Sequence, residues 1–419
     1  MEKFENKQVV ITGMGAVSPF GVGCNVFRES MFGEKSAISD ITTYVGDNFP
    51  IRYAGKIDPD AVRADSASNG LWKDEVSAAS NYAAIATAEA LEQAFPGECE
   101  VPPFDAIVYG SAEGIAYDAV EKAVAGKLTS QELRQCSAEA PLCEISVLLK
   151  NKYRSSVPEE RLICVNSACA SGNQAIGEAM WRIRAGHWTR AIVGGVDSRC
   201  NAPNLMNFHM LSALTTADVP PETASRPFDK TRSGFVRSEG AATLILESAE
   251  SALARGAKIL AVVSGYGATS DAYRLTDGRE DGASVTFAMS AAIADGDLAS
   301  DDISAVSAHG TSTPLNDRLE SFAIHQVFGS TKGKTVPVTS LKSQIGHSTV
   351  AAGAFETISC VQMLEAQKLA PTLNYKEPDP ECDVQVNSQT TEMPLTHILS
   401  NNFGFGGQNA CLVISRARP

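Results

Sequence analysis

Near-continuous apolar runs rich in β-branched residues recur along the chain, and several end in glycine. Val9-Val10-Ile11-Thr12-Gly13, Ala106-Ile107-Val108-Tyr109-Gly110 and Ala191-Ile192-Val193-Gly194-Gly195 are the clearest. Further runs cover residues 241–246, 261–265, 303–309 and 410–414. None alternates with polar residues as a half-exposed strand does, so the pattern predicts strands covered on both faces. Between them, helical periodicity predicts helices over 76–94, 171–185, 284–294, 318–327 and 351–367. Strands alternating with helices in this way predict an α/β fold.

An internal repeat sharpens the picture. VVITGMGAVS, starting at Val9, aligns without gaps on AVVSGYGATS, starting at Ala261, with both glycines in register. GFVRSEGAATLILES from Gly234 pairs more loosely with GFGGQNACLVIS from Gly404, across a three-residue gap. Two matches in the same order point to a duplicated unit with halves 1–255 and 256–419. The longer first half then carries insertions, with 48–69 and 126–158 as the candidates.

Composition narrows the class. A chain of 419 residues would hold two or three units at ~100–200 residues each; the repeat favours two halves of one fold. With 44% hydrophobic and 20% charged residues, disorder and low complexity are excluded. No apolar run approaches the ~18–20 residues of a spanning helix. The opening MEKFENKQVV has no apolar signal core, so a cytoplasmic, membrane-free protein is expected. A net charge of −14 opposes non-specific nucleic-acid binding. The ten cysteines form no CxxC and the six histidines no HExxH, so no metal site is expected.

Four short stretches carry candidate chemistry. In Cys164-Val165-Asn166-Ser167-Ala168-Cys169-Ala170-Ser171-Gly172 a short strand runs through small residues into the helical pattern NQAIGEAMWRIRAG. That puts Cys169 on a sharp turn at a helix N-terminus, where the dipole favours a thiolate; a tight junction needing small residues would look the same. His309-Gly310-Thr311-Ser312-Thr313 follows a strand's carboxyl end, with Glu320 beyond, where α/β sheets place ligands. Lys342-Ser343-Gln344-Ile345-Gly346-His347, with Glu356 further on, combines a cation, a histidine and a carboxylate around a helix start. Asn401-Asn402-Phe403-Gly404-Phe405-Gly406-Gly407 flanks a phenylalanine with glycines that let backbone N–H groups approach a ligand. Read singly, the last three are equally compatible with a loop histidine, a structural ion pair and a glycine-rich loop.

Together, in this order, they resemble the β-ketoacyl synthases of the thiolase superfamily, nearest to the elongating type. The resemblance runs from ITGMGAVSPFG through NSACASG, RPFDKTRSGFVRSEGA, HGTSTPLND and KSQIGH to NNFGFGGQNA. Thiolases use a second cysteine near the end, and initiating ketosynthases use asparagine where His347 stands. The resemblance implies a thiolase-like fold whose duplicated halves form five layers, α-β-α-β-α. It implies Cys169 as the acyl-accepting nucleophile, with the N–H groups of Cys169 and Phe405 as oxyanion hole. His309 and His347 would polarise a malonyl thioester, with Lys342 and Glu356 as an organising ion pair. Thr311 and Thr313 would contact a phosphopantetheine arm, Phe403 would line the substrate site, and Phe405 with Gly406 would form a gate. No cofactor is implied beyond phosphopantetheine on an acyl carrier protein. A homodimer is implied, with a heterodimer beside a chain-length factor as its variant.

The chain departs from common members at 128–158, and around VGGVDSRCNAPNLMNFHMLSALTT, where the family shapes its acyl pocket. These departures leave chain length open and point toward polyketide or polyene work. A non-catalytic chain-length factor and a cysteine hydrolase or thioesterase are the competing readings. Carrier proteins are acidic, so docking on this acidic chain demands a local basic patch. Arg226, Lys230, Arg232 and Arg237 are one candidate, and Lys122, Lys127 and Arg134 a weaker one; either group could equally be structural.

Overall fold

The computed structural model describes residues 8–65, 68, 70–112, 122–333 and 335–417. Most of the N-terminal stretch scanned for a signal core, and residues 66, 67 and 69 of one candidate insertion, lie outside this set.

Eleven strands form the main path of the central sheet: β1 (Val9–Ser18), β2 (Ala106–Ser111), β3 (Leu162–Val165), β4 (Arg190–Asp197), β5 (Gly240–Ser248), β6 (Ala261–Ser270), β7 (Ala305–Ser307), β8 (Pro337–Thr339), β9 (Gln385–Val386), β10 (His397–Gly404) and β11 (Gln408–Arg416). Their spatial order is β9-β8-β7-β10-β11-β6-β1-β5-β4-β2-β3, with Gly21–Val22 pairing on β1. Outward from β1 the chain runs antiparallel to β5, antiparallel to β4, then parallel to β2 and β3. Outward from β6 the same sequence of pairings recurs through β11, β10, β7 and β8. The two sets join where β1 meets β6 antiparallel.

The glycines of the repeat have a steric reason. Helix α1 (Ala78–Ala94) lies so close to β1 that a Cβ on Gly13 would stand 2.0 Å from the Ala90 carbonyl oxygen. On Gly15 it would stand 1.9 Å from that of Ala86. A later helix, Ala283–Asp295, meets β6 in the same way, with Gly265 against Ala292 and Gly267 against Ala288. Both strands also break register at the same place, between Ile11 and Gly13 and between Val263 and Gly265.

Two helices form the middle layer. We label Ser171–Arg184 α2 and Ala352–Ala366 α3; each packs against strands of both sets and against the other. Helix α3 is buried from Ala352 through Leu364, as a helix with sheet on both sides must be. They cross where a Cβ on Gly172 would lie 3.1 Å from the Cα of Gly353. With α1 and the Ala283–Asp295 helix outside, the layers run α-β-α-β-α. The crossing brings the N-terminal ends of α2 and α3 together at the molecule's centre, and the chemistry-bearing motifs precede those ends.

Candidate active site

Cys169 stands between β3 and α2 on a turn held by its neighbours. Ala168 has φ 48, a left-handed conformation uncommon for a residue with a Cβ. Ser171 Oγ braces it, accepting from the Ser167 N–H at 2.8 Å and donating to the Ala168 carbonyl at 2.7 Å. The β10–β11 hairpin presses on the same turn. A Cβ on Gly404 would lie 2.8 Å from Ser167 O and 3.0 Å from Cys169 N, so only glycine fits there. The Phe405 N–H is thereby delivered as a hydrogen-bond donor to the Cys169 sulfur.

His347 precedes α3 and is pinned through its backbone: its N–H donates to Val236 O at 2.7 Å, and Ser238 N–H donates to its carbonyl at 3.0 Å. Its Nε2 lies 3.0 Å from Cys169 Sγ. His309 follows β7, with its ring centroid 5.3 Å from that of His347 and 5.6 Å from that of Phe403. Glu320, from the helix Pro314–Lys332, accepts the N–H groups of His309 at 2.9 Å and Gly310 at 2.8 Å. Lys342 Nζ and Glu356 form an ion pair with both side chains at most 2% exposed. Asn402 donates to the other oxygen of Glu356 at 2.6 Å and stands 3.4 Å from His309 Nδ1. The sequence-predicted residues Cys169, His309, His347, Lys342 and Glu356 therefore come together in one buried cluster.

Burial governs its protonation. It pushes the Cys169 thiol up to about 11, against the opposing pull of Lys342, Arg237 and the Phe405 N–H. Burial also holds His309 and His347 well below the ordinary histidine value, and Lys342 adds to the effect on both. The expectation of a thiolate favoured by a helix N-terminus is corrected: desolvation wins. The resting site at neutral pH is a thiol beside two neutral imidazoles, with His347 Nε2 3.0 Å from the sulfur. The ligating atoms of Cys169, His309 and His347 lie within 4.8 Å of one another, close enough for a metal by distance alone. The neighbouring cations Lys342 and Arg237 make this a poor site for a dication.

A cavity of about 240 Å³ opens onto the cluster. Cys169, His309, His347, Thr311, Thr313, Phe403 and Phe405 all line it. The hydroxyls of Thr311 and Thr313 are 2.9 Å apart, and the Phe405 ring packs 6.2 Å from that of Phe208. Gly406, next to Phe405, is exposed, has φ 80, and donates its N–H to Leu275 O at 2.6 Å, turning the loop there.

Of the first candidate basic group, Lys230 is exposed and Arg226 part-exposed, but the other two cations are interior. Arg232 is buried, ion-paired with Asp379 and Asp317, and Arg237 is 0% exposed. Lys127 and Arg134 of the second group are exposed. Sequence reasoning quoted Glu320 and Asn402 inside motifs but gave them no role, and it missed Asp197, which holds Arg237 at 3.0 Å.

The β-ketoacyl synthase N-terminal domain matches residues 6–252 and the corresponding C-terminal domain matches residues 260–376. The chain belongs to the β-ketoacyl synthase family. A 3-oxoacyl-[acyl-carrier-protein] synthase 2 of Synechocystis sp. is 32% identical to this ketosynthase, over 99% of this chain and 100% of the relative. Among solved structures, the ketosynthase of a type II polyketide synthase, in complex with its acyl-carrier protein and bound to the hexaketide, superimposes with TM-score 0.85 at 27% identity. That match covers 99% of this chain and 100% of the other. The ishigamide ketosynthase/chain length factor superimposes with TM-score 0.86 at 29% identity, again over 99% and 100%. Among the described residues no helix is long and apolar enough to cross a membrane.

Proposed function

We infer that this ketosynthase is an elongating β-ketoacyl-[acyl-carrier-protein] synthase, joining a malonyl thioester to an acyl chain held on Cys169. The observation that carries this reading is the contact of Cys169 Sγ with His347 Nε2 at 3.0 Å, with His309 beside it. In the first half-reaction the sulfur attacks the acyl thioester while its proton passes to His347 Nε2. The N–H groups of Cys169 and Phe405 stabilise the tetrahedral oxyanion. Collapse breaks the carrier C–S bond, and the departing carrier thiolate takes the proton back. In the second, His309 and His347, the latter now carrying its single proton on Nε2 after exchange with solvent, donate hydrogen bonds to the malonyl thioester carbonyl as CO2 leaves. The enolate attacks the acyl-Cys169 carbon, the C–S bond to Cys169 breaks, and the thiolate regains a proton from solvent. Phe405 acts as the gate between the two stages, and Thr311, Thr313 and Phe403 line the path of the phosphopantetheine arm.

The partner in this reading is an acyl carrier protein, as in the type II polyketide complex, and the setting is cytoplasmic fatty acid or polyketide synthesis. No cofactor beyond the carrier's phosphopantetheine enters the scheme. Among the described residues β3 ends the sheet and is partly exposed at all four positions, which supports pairing with a second subunit, a copy of this chain or a chain-length factor. Retention of Cys169, His309 and His347 argues against a chain-length factor here. The test is incubation with acyl and malonyl carrier thioesters, following Cys169 acylation by intact mass and β-ketoacyl product by chromatography. Acylation with malonyl-dependent product is expected from wild type, and neither from Cys169→Ala. Release of free acid without malonyl consumption would show a hydrolase instead.

A further inference from the structure

The Lys342–Glu356 pair lies next to the two histidines, yet among the described residues neither of its members hydrogen-bonds an imidazole. Asn402 connects them. It stands in β10, just before Phe403, and is 0% exposed. Lys342 takes one oxygen of Glu356, and Asn402 Nδ2 reaches the other at 2.6 Å. An ionised carboxylate only accepts hydrogen bonds, so the amide must turn its –NH2 to Glu356. The reverse orientation would set Oδ1 against a carboxylate oxygen at the same distance. Asn402 Oδ1 has no partner among the described residues, so the donor end alone holds the amide.

The same Nδ2 stands 3.4 Å from His309 Nδ1. An amide –NH2 donates and does not accept, so a lone pair on Nδ1 fits there and an Nδ1–H does not. The bond is long, but the alternative sets donor against donor in a buried site, where an unmade bond is expensive. Burial, Lys342 and His347 all keep the ring neutral, so there is one ring proton to place. We propose that Asn402 is a positioning residue that links the Lys342–Glu356 pair to His309 and holds the His309 proton on Nε2. With Nδ1 taken, Nε2 is the nitrogen left for the cavity that His309 lines. The use of that proton rests on the condensing reading. Nε2–H donates to the malonyl thioester carbonyl as negative charge develops there, whereas the other tautomer turns a lone pair on the same oxygen. His347 differs: its Nδ1 has no partner among the described residues, so no such link fixes its tautomer. That suits a ring whose Nε2 must accept a proton in one half-reaction and donate in the other.

Solid-state 15N spectra of histidine-labelled protein at pH 8 read the ring nitrogens directly, with His309 assigned by its absence from His309→Gln. Wild type should show His309 protonated at Nε2 and bare at Nδ1. Asn402→Asp keeps the shape and exchanges the donor for an oxygen. Two carboxyl groups in the 2.6 Å contact share a proton, and the oxygen facing His309 then accepts, so Nδ1 should become protonated. A wild-type His309 with its proton on Nδ1, or evenly mixed, overturns the proposal, as does a bare Nδ1 in Asn402→Asp. Asn402→Leu removes the donor and should slow CO2 release from malonyl-pantetheine on the order of tenfold. Acylation of Cys169 by hexanoyl-pantetheine should slow less, because that step runs through His347. Equal losses in the two half-reactions would mark a merely structural role and overturn the proposal too. Where Asn402→Leu does not fold, the isosteric Asn402→Asp carries the test. If wild type neither acylates Cys169 nor releases CO2, the condensing reading fails, while the 15N spectra still decide where the His309 proton sits.

Discussion

Replacing Lys342 with methionine tests the buried pair at the heart of the site. Lys342 and Glu356 are 2% and 1% exposed. Burial already pushes the Glu356 carboxyl above the usual carboxylate value, with Lys342 and Asn402 pulling it down. Lys342→Met removes the strongest of the opposing influences and leaves a buried carboxylate with one hydrogen bond, from Asn402. Breaking a buried pair from one side costs about 3–5 kcal/mol, while replacing both members with uncharged groups is often near neutral. Lys342→Met should therefore lose about 3–5 kcal/mol of unfolding free energy, and Lys342→Met/Glu356→Leu should recover most of it.

The pH dependence has a definite sign. Glu356 in the folded Lys342→Met variant holds its proton at pH values where the unfolded chain has lost it. The native state then binds more protons than the unfolded state, so stability falls as pH rises above the ordinary glutamate value, until the folded carboxyl ionises. Wild-type Glu356 is itself raised, so the deficit against wild type should grow, by up to about 1.4 kcal/mol per pH unit, between the pH where the carboxyl ionises in folded wild type and the higher pH where it ionises in the variant. Urea unfolding of wild type, both single variants and the double variant at pH 6 and pH 8 provides the measurement. Additive losses in the double variant, or a deficit that shrinks from pH 6 to pH 8, would refute the reasoning.

Gly404→Ala places a methyl 2.8 Å from Ser167 O and 3.0 Å from Cys169 N, pushing the Phe405 N–H away from the sulfur; single-turnover acylation should slow by about 10²-fold or more, with little change in overall fold by circular dichroism. With the Cys169 thiol pushed up to about 11, alkylation by iodoacetamide should accelerate with pH through pH 9, and a plateau already reached at pH 7 would show that a thiolate is the resting form. His309→Ala should spare acylation and lose malonyl decarboxylation, measured as CO2 release. His347→Ala should slow both, because its Nε2 is the group 3.0 Å from the sulfur.

Much of the fold was legible because the strands are covered on both faces and close against helices. Gly13, Gly15, Gly265 and Gly267 stood out as a repeat because two helix backbones come too near for any Cβ. The short strands β8 and β9, three and two residues long, carry too little pattern to be read. The stretch from Asn401 looked like loop because asparagines interrupt the apolar run. Those side chains are buried in β10, where Asn401 donates to Glu320 at 3.0 Å and Asn402 to Glu356 at 2.6 Å. Their partners are remote in sequence, so no local pattern could announce them. The same remoteness left the reading of charge open between a surface patch and structural cations. Arg232 and Arg237 prove to be structural, held inside by Asp379 and Asp197, which lie far away along the chain.

Their burial bears on the chemistry. The net charge of −14 implies a negative field outside the molecule, yet both charges that lower the thiol pKa of Cys169 are buried cations, Lys342 and Arg237. Exposed carboxylates are screened within about 8 Å in physiological salt, whereas buried pairs are screened much less. The centre can therefore be locally positive while the surface is acidic. Each cation is held by a carboxylate, Glu356 or Asp197, so neither is an isolated charge in a low-dielectric interior. Their combined pull still leaves the thiol at about 11, which means the cations alone do not make the nucleophile. In the proposed attack the proton passes to His347, which burial and the same two cations keep neutral at rest while lowering its basicity; the transfer is therefore coupled to attack on the thioester and does not precede it.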